Sequence, residues 1–365
     1  MIEKYEKIAR EAAERVEALR RADSLVFPIF TDIHINSVKD AAAAELLCAM
    51  EALADVLPVD GVLDLGDNPD MLGRTEHASN EKIHGVLQGL LDRVASRWQC
   101  PLFAINGNHD GVGTDFFDAE FWYSVVGGRY DWGMAQRDRD GHSAYYYVEF
   151  PASRVRVVFL SLPCGSKLTA QNPTPLWEYG QEQLRWLAHT ALDTAMSALL
   201  VAHVPFYYDY FGDRTKKLGV FNGTIPTETF ISALCGWIAD RPAAQSIFEA
   251  FRNHTSYDNE EYGIHMPPSS PEAELIGFIS GHIHTDSLWQ PGECRAVRDD
   301  NVLKSRCNSL PCVQLVTSAS NIRINSILRT QAKWPVCMDI AVITPSERRF
   351  STVRYGNGED RSFVW

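Results

Sequence analysis

The chain has 365 residues, 45% of them hydrophobic, and a formal net charge of −13. That length and composition support one large globular core and exclude a disordered or fibrous chain. The negative charge, with no long stripe of Lys and Arg, argues against a protein that grips duplex nucleic acid, and no apolar run approaches the length of a membrane span.

Residues 3–21 place Ile8, Ala12, Val16 and Leu19 at helical spacing and predict a helix, read as a packing appendage on a domain spanning residues 22–365. The segment is charged and amphipathic, unlike a signal peptide, so the expected location is the cytoplasm. The apolar run LVFPIF ends in Thr31, Asp32, Ile33 and His34, and a helix is expected over 40–56. GVLDL ends in Gly66, Asp67 and Asn68, followed by a second expected helix over 79–98. PLFAI leads to Gly107, Asn108, His109 and Asp110; residues 144–162 read as an antiparallel pair turned at 151–154. SALLVA ends in His203, and ELIGFIS ends in Gly281, His282, Ile283 and His284. Short apolar runs bounded by polar turns are the pattern of buried central strands.

The five fragments collect Asp, His and Asn donors at strand ends, where a fold can gather a ring around two divalent cations. Such a pair, about 3.5 to 4 Å apart, activates a shared hydroxide for in-line attack on phosphorus. Only a carboxylate offers two anionic oxygens to share, and Asp67 is the candidate. His109 can protonate a leaving alkoxide, with Asp110 fixing its tautomer. Strand alternation puts Asp32 and His34 on one side, and likewise His282 and His284. Asp64 is three residues from Asp67, hence expected on the opposite face. Any single fragment is weak, since about half a D-x-H is expected by chance in such a chain. A second one, Asp140 and His142 in RDRDGHS, follows no apolar run and reads as a solvated loop. Five fragments in one order, each behind an apolar run, are a poor fit to coincidence. The remaining histidines (His77, His84, His189, His254 and His265) read as structural or solvated, with the last two in a segment that could border the pocket.

In this order D-x-H, G-D-x-x-D, G-N-H-D, a lone His and G-H-x-H resemble the calcineurin-like metallophosphoesterases, over a stretch from about residue 25 to the C-terminus. QEQLRWL at 181–187 and the closing YGNGEDRSF resemble bacterial and phage members of undefined substrate. The resemblance implies a four-layer α/β/β/α sandwich of two mixed β-sheets flanked by helices, two divalent metal ions (Mn, Fe or Zn), and hydrolysis of a phosphomono- or phosphodiester. It implies that Asp32, His34, Asp67 and His284 hold one metal, with Asp67 shared, and that Asn108, His203 and His282 complete the second. His109 then touches substrate, Asp110 orients it, and Asp70 is a supporting carboxylate. Phosphoprotein phosphatases of this kind follow G-D-x-x-D with Arg-Gly and carry Glu after G-N-H. Here Met71 follows Asp70 and Asp110 follows His109, which argues against that class. The expected partner is a small or nucleotide-like phosphate ester, with no membrane partner and no oligomeric state implied. The alternatives are a nuclease and a non-catalytic scaffold, the latter disfavoured by the presence of His109 and Asp67.

Residues 205–275 form a long insert between two ligand-bearing loops, and FYYDYFGDRTKKLGVFNG within it is aromatic and basic in an acidic chain. It reads either as a surface elaboration or as a lid or substrate wall. In the second case Arg214, Lys216 or Lys217 meets a phosphate and Tyr207, Tyr208 or Phe211 stacks on a base. The eight cysteines contain no C-x-x-C pair and read as reduced thiols, with Cys48, Cys100 and Cys164 in or near apolar segments. Cys294, Cys307 and Cys312 cluster in a stretch read as a loop, where a structural zinc or a disulfide is the minority reading.

Overall fold

The computed structural model describes residues 3–35, 41–69, 80–107, 110, 119–138, 141–161, 179–210, 240–299, 302–321 and 332–365. Among these residues it is a mixed α/β structure with two large mixed sheets and six helices. In the first sheet β1 (Leu25–Phe30), β2 (Val62–Asp64) and β3 (Leu102–Ala104) run parallel, and β15 (Cys337–Thr344), β16 (Arg349–Gly356) and β17 (Arg361–Val364) extend it antiparallel beyond β1. In the second, β5 (Val155–Leu160), β6 (Ser197–Ala202), β10 (Leu275–Ser280) and β14 (Gln314–Val316) run parallel. Antiparallel edges, β4 (Tyr146–Phe150) and β11 (Ser287–Trp289), close that sheet.

The apolar runs are continuous because both faces of these strands are buried. Val26 and Phe30 of β1 join one apolar cluster, whereas Phe27 and Ile29 join another, which also takes Val157 and Phe159 of β5 and Leu199 and Val201 of β6. The cluster around Val26 and Phe30 is completed by α1 (Glu3–Leu19), α2 (Ala41–Ala54), α3 (Asn80–Trp98) and α4 (Ala119–Val126). Within it α1 buries Tyr5, Ile8, Ala9, Ala12, Ala13 and Val16, and each large apolar side chain so buried contributes roughly 1.5–3 kcal/mol. A third cluster joins the opposite faces of β5 and β6 to α5 (Gly180–Trp186), its π-helical continuation Leu187–Ala191, and α6 (Arg241–Asn253).

Registers set the strand ends level. Phe30 pairs with Asp64 and Asp64 with Ala104, while Leu160 pairs with Ala202 and Ile279 with Val201. The segments after β1, β2 and β3 therefore leave one sheet, and those after β6 and β10 the other, from adjacent strands. In open α/β sheets the carboxyl ends of parallel strands are where ligands bind.

The insert divides. Residues 211–239, with Phe211, Arg214, Lys216 and Lys217, lie outside the described residues. Ile247, Phe248 and Phe251 of α6 are fully buried in the third cluster, so this part of the insert packs onto the core through one helix face. Tyr207 and Tyr208 open β7 (Tyr207–Tyr210), which pairs with β13 (Val302–Asn308), itself paired with β12 (Cys294–Asp299). This small sheet corrects the reduced-thiol, loop-like reading of its cysteines. Cys294 and Cys307 face each other across β12 and β13, with Cα atoms 4.2 Å apart, and form a disulfide. Among the described residues Cys48, Cys100, Cys312 and Cys337 are free thiols, so the trio holds no common zinc; Cys164 lies outside them. Among the described residues no helix is long and apolar enough to cross a membrane.

Candidate metal centre

Five donors share an unusual backbone. Asp32, His34, Asp67, His282 and His284 all have positive φ, between 48° and 71°, in the left-handed region that non-glycine residues avoid at a cost of roughly 1–2 kcal/mol each. This corrects the strand-alternation argument. β1 ends at Phe30 and β10 at Ser280, so both pairs are brought together by left-handed turns beyond the strands. Neighbouring backbone holds the turns: Asp32 N donates to Gly66 O at 2.9 Å, and His34 N to Asp67 O at 3.1 Å.

The donors form two groups, Asp32 with His34 and His284, and Asp67 with His203 and His282, each with donor atoms within 4.8 Å of one another. Each group can hold a metal ion, at bonds of about 2 Å. In the first, Asp32 Oδ2 accepts hydrogen bonds from Thr31 Oγ1 at 2.7 Å and His282 N at 2.9 Å. Its other oxygen, Oδ1, is buried without a hydrogen bond, 3.2 Å from His284 Nε2 and 3.6 Å from His34 Nε2. A buried carboxylate oxygen is not left so unless another charge completes it, so the donor set fits a cation.

In the second group His203 Nδ1 donates to the Leu65 carbonyl at 2.7 Å. That bond fixes the proton on Nδ1 and leaves the Nε2 lone pair, 3.0 Å from Asp67 Oδ2, as a ligand. The same Asp67 oxygen lies 3.9 Å from His34 Nε2, so this carboxylate stands between the two groups. Burial would lower the His203 imidazole, but Asp67, Asp32 and Asp110 raise it to about 10, so a proton on Nε2 answers these carboxylates until a cation displaces it. Burial and the neighbouring His203 push His282 down to about 3. Burial would raise Asp32, yet His284 and His34 hold it well below the usual carboxylate range. The site thus demands positive charge beside its carboxylates, and burial favours neutral His282, the form that can bind a metal.

The remaining site residues divide between support and residues not described. Asn108, His109 and Asp70 lie outside the described residues. Asp110 is buried, and its carboxylate accepts from the backbone N–H groups of Gly107 at 2.7 Å, Asp67 at 2.8 Å and Asn68 at 3.1 Å. It therefore bolts the loops after β2 and β3 together, a role the expectation that it orients His109 did not include. Burial and Asp67 raise its carboxyl to about 6 against these amides. Asp64 is outside both groups, with its carboxylate accepting from Asn68 Nδ2 and Gly66 N. His254 bonds Ser269, and His265 pairs with Asp258, both exposed, across the hairpin of β8 (Tyr257–Asn259) and β9 (Ile264–Met266); neither joins the donor groups.

Backbone approach is tight enough to require glycine at two places. A Cβ on Gly107 would overlap Asp67 Oδ1 and sit 2.5 Å from Asp67 N, and one on Gly281 would overlap Thr31 Oγ1 and sit 2.7 Å from Asp32 Oδ2. Gly281→Ala is accordingly expected to lose metal at the Asp32 group although no ligand is removed, with an overpacking cost of about 1–3 kcal/mol. Elemental analysis of the purified variant checks this, and full metal content would refute the close approach as a requirement.

One segment was missed. Residues 317–321, buried throughout, tie the loops after β1 and β10: Thr317 N donates to Ser280 O at 2.8 Å, Ser318 Oγ to His284 O at 3.0 Å, Ser320 N to Thr31 O at 2.9 Å and Asn321 Nδ2 to Ile33 O at 2.9 Å. Ser, Thr and Asn bond backbone in loops of every kind, so only their position after the apolar β14 could have marked them. Compared with known proteins, the chain matches no family model and no curated relative.

Proposed function

We propose that the chain is a dinuclear metal-dependent phosphoesterase of the calcineurin-like kind, hydrolysing a small or nucleotide-like phosphomono- or phosphodiester. The observation that carries this reading is the Asp67 carboxylate oxygen lying between two Asp/His groups, 3.0 Å from His203 and 3.9 Å from His34. The proposed fold is the four-layer α/β/β/α sandwich, supported by one apolar cluster shared by the two sheets and one outer cluster with helices on each.

Two divalent cations, Mn, Fe or Zn, would supply water activation and neutralise phosphoryl oxygens when bound. The chain's own groups do the rest. Asp32, His34 and His284 would hold the first cation, and Asn108, His203 and His282 the second, with Asp67 common to both. His203 is kept in the productive tautomer by Leu65, and His282 is kept neutral. His109 is proposed to touch the substrate and protonate the leaving alkoxide. The net charge of −13 disfavours a polyanionic duplex, whereas a small anion answers mainly to the local field of the cations.

The test is to strip the full chain with chelator, restore Mn, Fe or Zn singly, and assay a panel of phosphomono- and phosphodiesters. Turnover restored by one of these metals, with two equivalents bound, is the expected result. Two bound equivalents without turnover of any ester would support the scaffold alternative, and activity confined to polynucleotides the nuclease.

A further inference from the structure

Beyond the donor groups, the structure holds four linked charges that the proposed chemistry does not use, Arg354 and Asp339 buried and Asp286 and Arg361 partly buried. Asp286, two residues after His284, accepts from Arg354 Nη2 at 2.5 Å and from Ser318 N at 3.0 Å, and its carboxylate lies 3.3 Å from Arg361 Nη2. Asp339 accepts from Thr317 Oγ1 at 2.6 Å and from Arg361, and lies 3.2 Å from Arg354. Arg354 has 1% and Asp339 0% of the side chain exposed. Arg361 Nη1 also donates to Val316 O at 2.7 Å and Ser287 O at 3.2 Å.

The placement of these groups is asymmetric. Arg354, Arg361 and Asp339 stand on β16, β17 and β15 of the first sheet. Their partners, Asp286, Thr317 and Ser318, follow β10 and β14 of the second, beside the loop that carries His282 and His284. The network thus clasps one sheet to the ligand loop of the other. Two arginines against two aspartates balance, yet a network that buries Arg354 and Asp339 outright is a poor way to gain stability, since apolar residues of similar volume usually do as well or better. What an ion network offers instead is directional bonds, and here they converge on the backbone around His284.

We infer that Asp286, held by Arg354 and joined through Ser318 to the His284 carbonyl, is a positioning residue that sets the His284 imidazole for the first metal. His282 has a separate anchor, its N–H on Asp32 Oδ2. The clasp therefore acts on the Asp32, His34 and His284 group more than on the Asp67, His203 and His282 group. The inference rests on the metal reading proposed above.

The experiment is a calorimetric titration of chelator-stripped full chain with Mn2+ and, separately, Zn2+, with His284→Ala marking which binding event is the first site. The double variant Arg354→Met with Asp286→Asn keeps the network's charge balanced. Its first-site affinity is expected to fall about 10- to 100-fold, the usual effect of losing an outer partner of a ligand, while second-site affinity stays within about threefold. Ser318→Ala, which removes the hydroxyl that donates to His284 O and also meets the Cys337 thiol, should weaken the first site alone and serves if the double variant does not fold. Unchanged affinity at the first site, or equal loss at both, overturns the positioning role. A wild-type chain that takes up neither ion overturns the metal reading itself, and the inference with it.

Discussion

Asp67→Asn is expected to purify short of its metals and to turn over roughly a thousandfold more slowly than wild type. An amide keeps the shape but offers one neutral oxygen where the carboxylate presents shared negative charge to both groups, from a point 3.0 Å from His203 Nε2 and 3.9 Å from His34 Nε2. A catalytic cation contributes several kcal/mol of charge stabilisation, and losing about 4 kcal/mol lowers a rate about 10³-fold. Thermal melting gives a readout independent of activity. Ligand at about 100 times its Kd stabilises a fold by roughly 2.7 kcal/mol, so wild-type Tm should climb on adding metal and the variant's climb should shrink. Asp64→Asn is the control. Asp64 belongs to neither group but accepts from Asn68 Nδ2 and Gly66 N. An amide there sets N–H against N–H, so its Tm should fall by the equivalent of about 1–3 kcal/mol with the metal-induced rise intact. A full rise in the Asp67 variant would remove the shared-carboxylate assignment.

How far the sequence carries this site depends on which property made each residue recognisable. The grouping of Asp32, His34, Asp67, His203, His282 and His284 is legible because metal chemistry would restrict the residue type, and because each follows an apolar run that is a buried strand. The way they meet was not legible. Alternation along an extended strand gives the same pairing as left-handed turns at Asp32, His34, His282 and His284, and only backbone angles separate the two. The disulfide was hidden for a related reason: thirteen residues separate Cys294 from Cys307, and nothing local announces that β12 and β13 pair in the register that brings them opposite. The 317–321 segment and the Asp286 clasp act on backbone groups of other loops, which any Ser, Thr, Asn or charged residue can bond. The two readings of the 205–275 insert could not be separated in the sequence because the amphipathic face of α6 looks the same whether it covers a site or a core.

Asp110→Ala should cost more stability than removing any ligand. Its carboxylate answers three buried N–H groups, on Gly107, Asp67 and Asn68. Each donor left unmade costs about 1–3 kcal/mol, so the sum is several kcal/mol, a large share of the 5–15 kcal/mol that holds a typical domain together. Asp110→Asn keeps one acceptor oxygen and should fall between the two. Because one of the three amides belongs to Asp67 itself, the loss should also loosen the shared carboxylate, and metal affinity should decline in the same order, wild type, Asn, Ala. Denaturant midpoints and metal titrations on the three chains measure both. An orienting contact to His109 predicts the opposite pattern: turnover drops, and both the midpoint and the metal affinity stay at wild-type values. Three amides converging on one carboxylate make the first pattern the expected one.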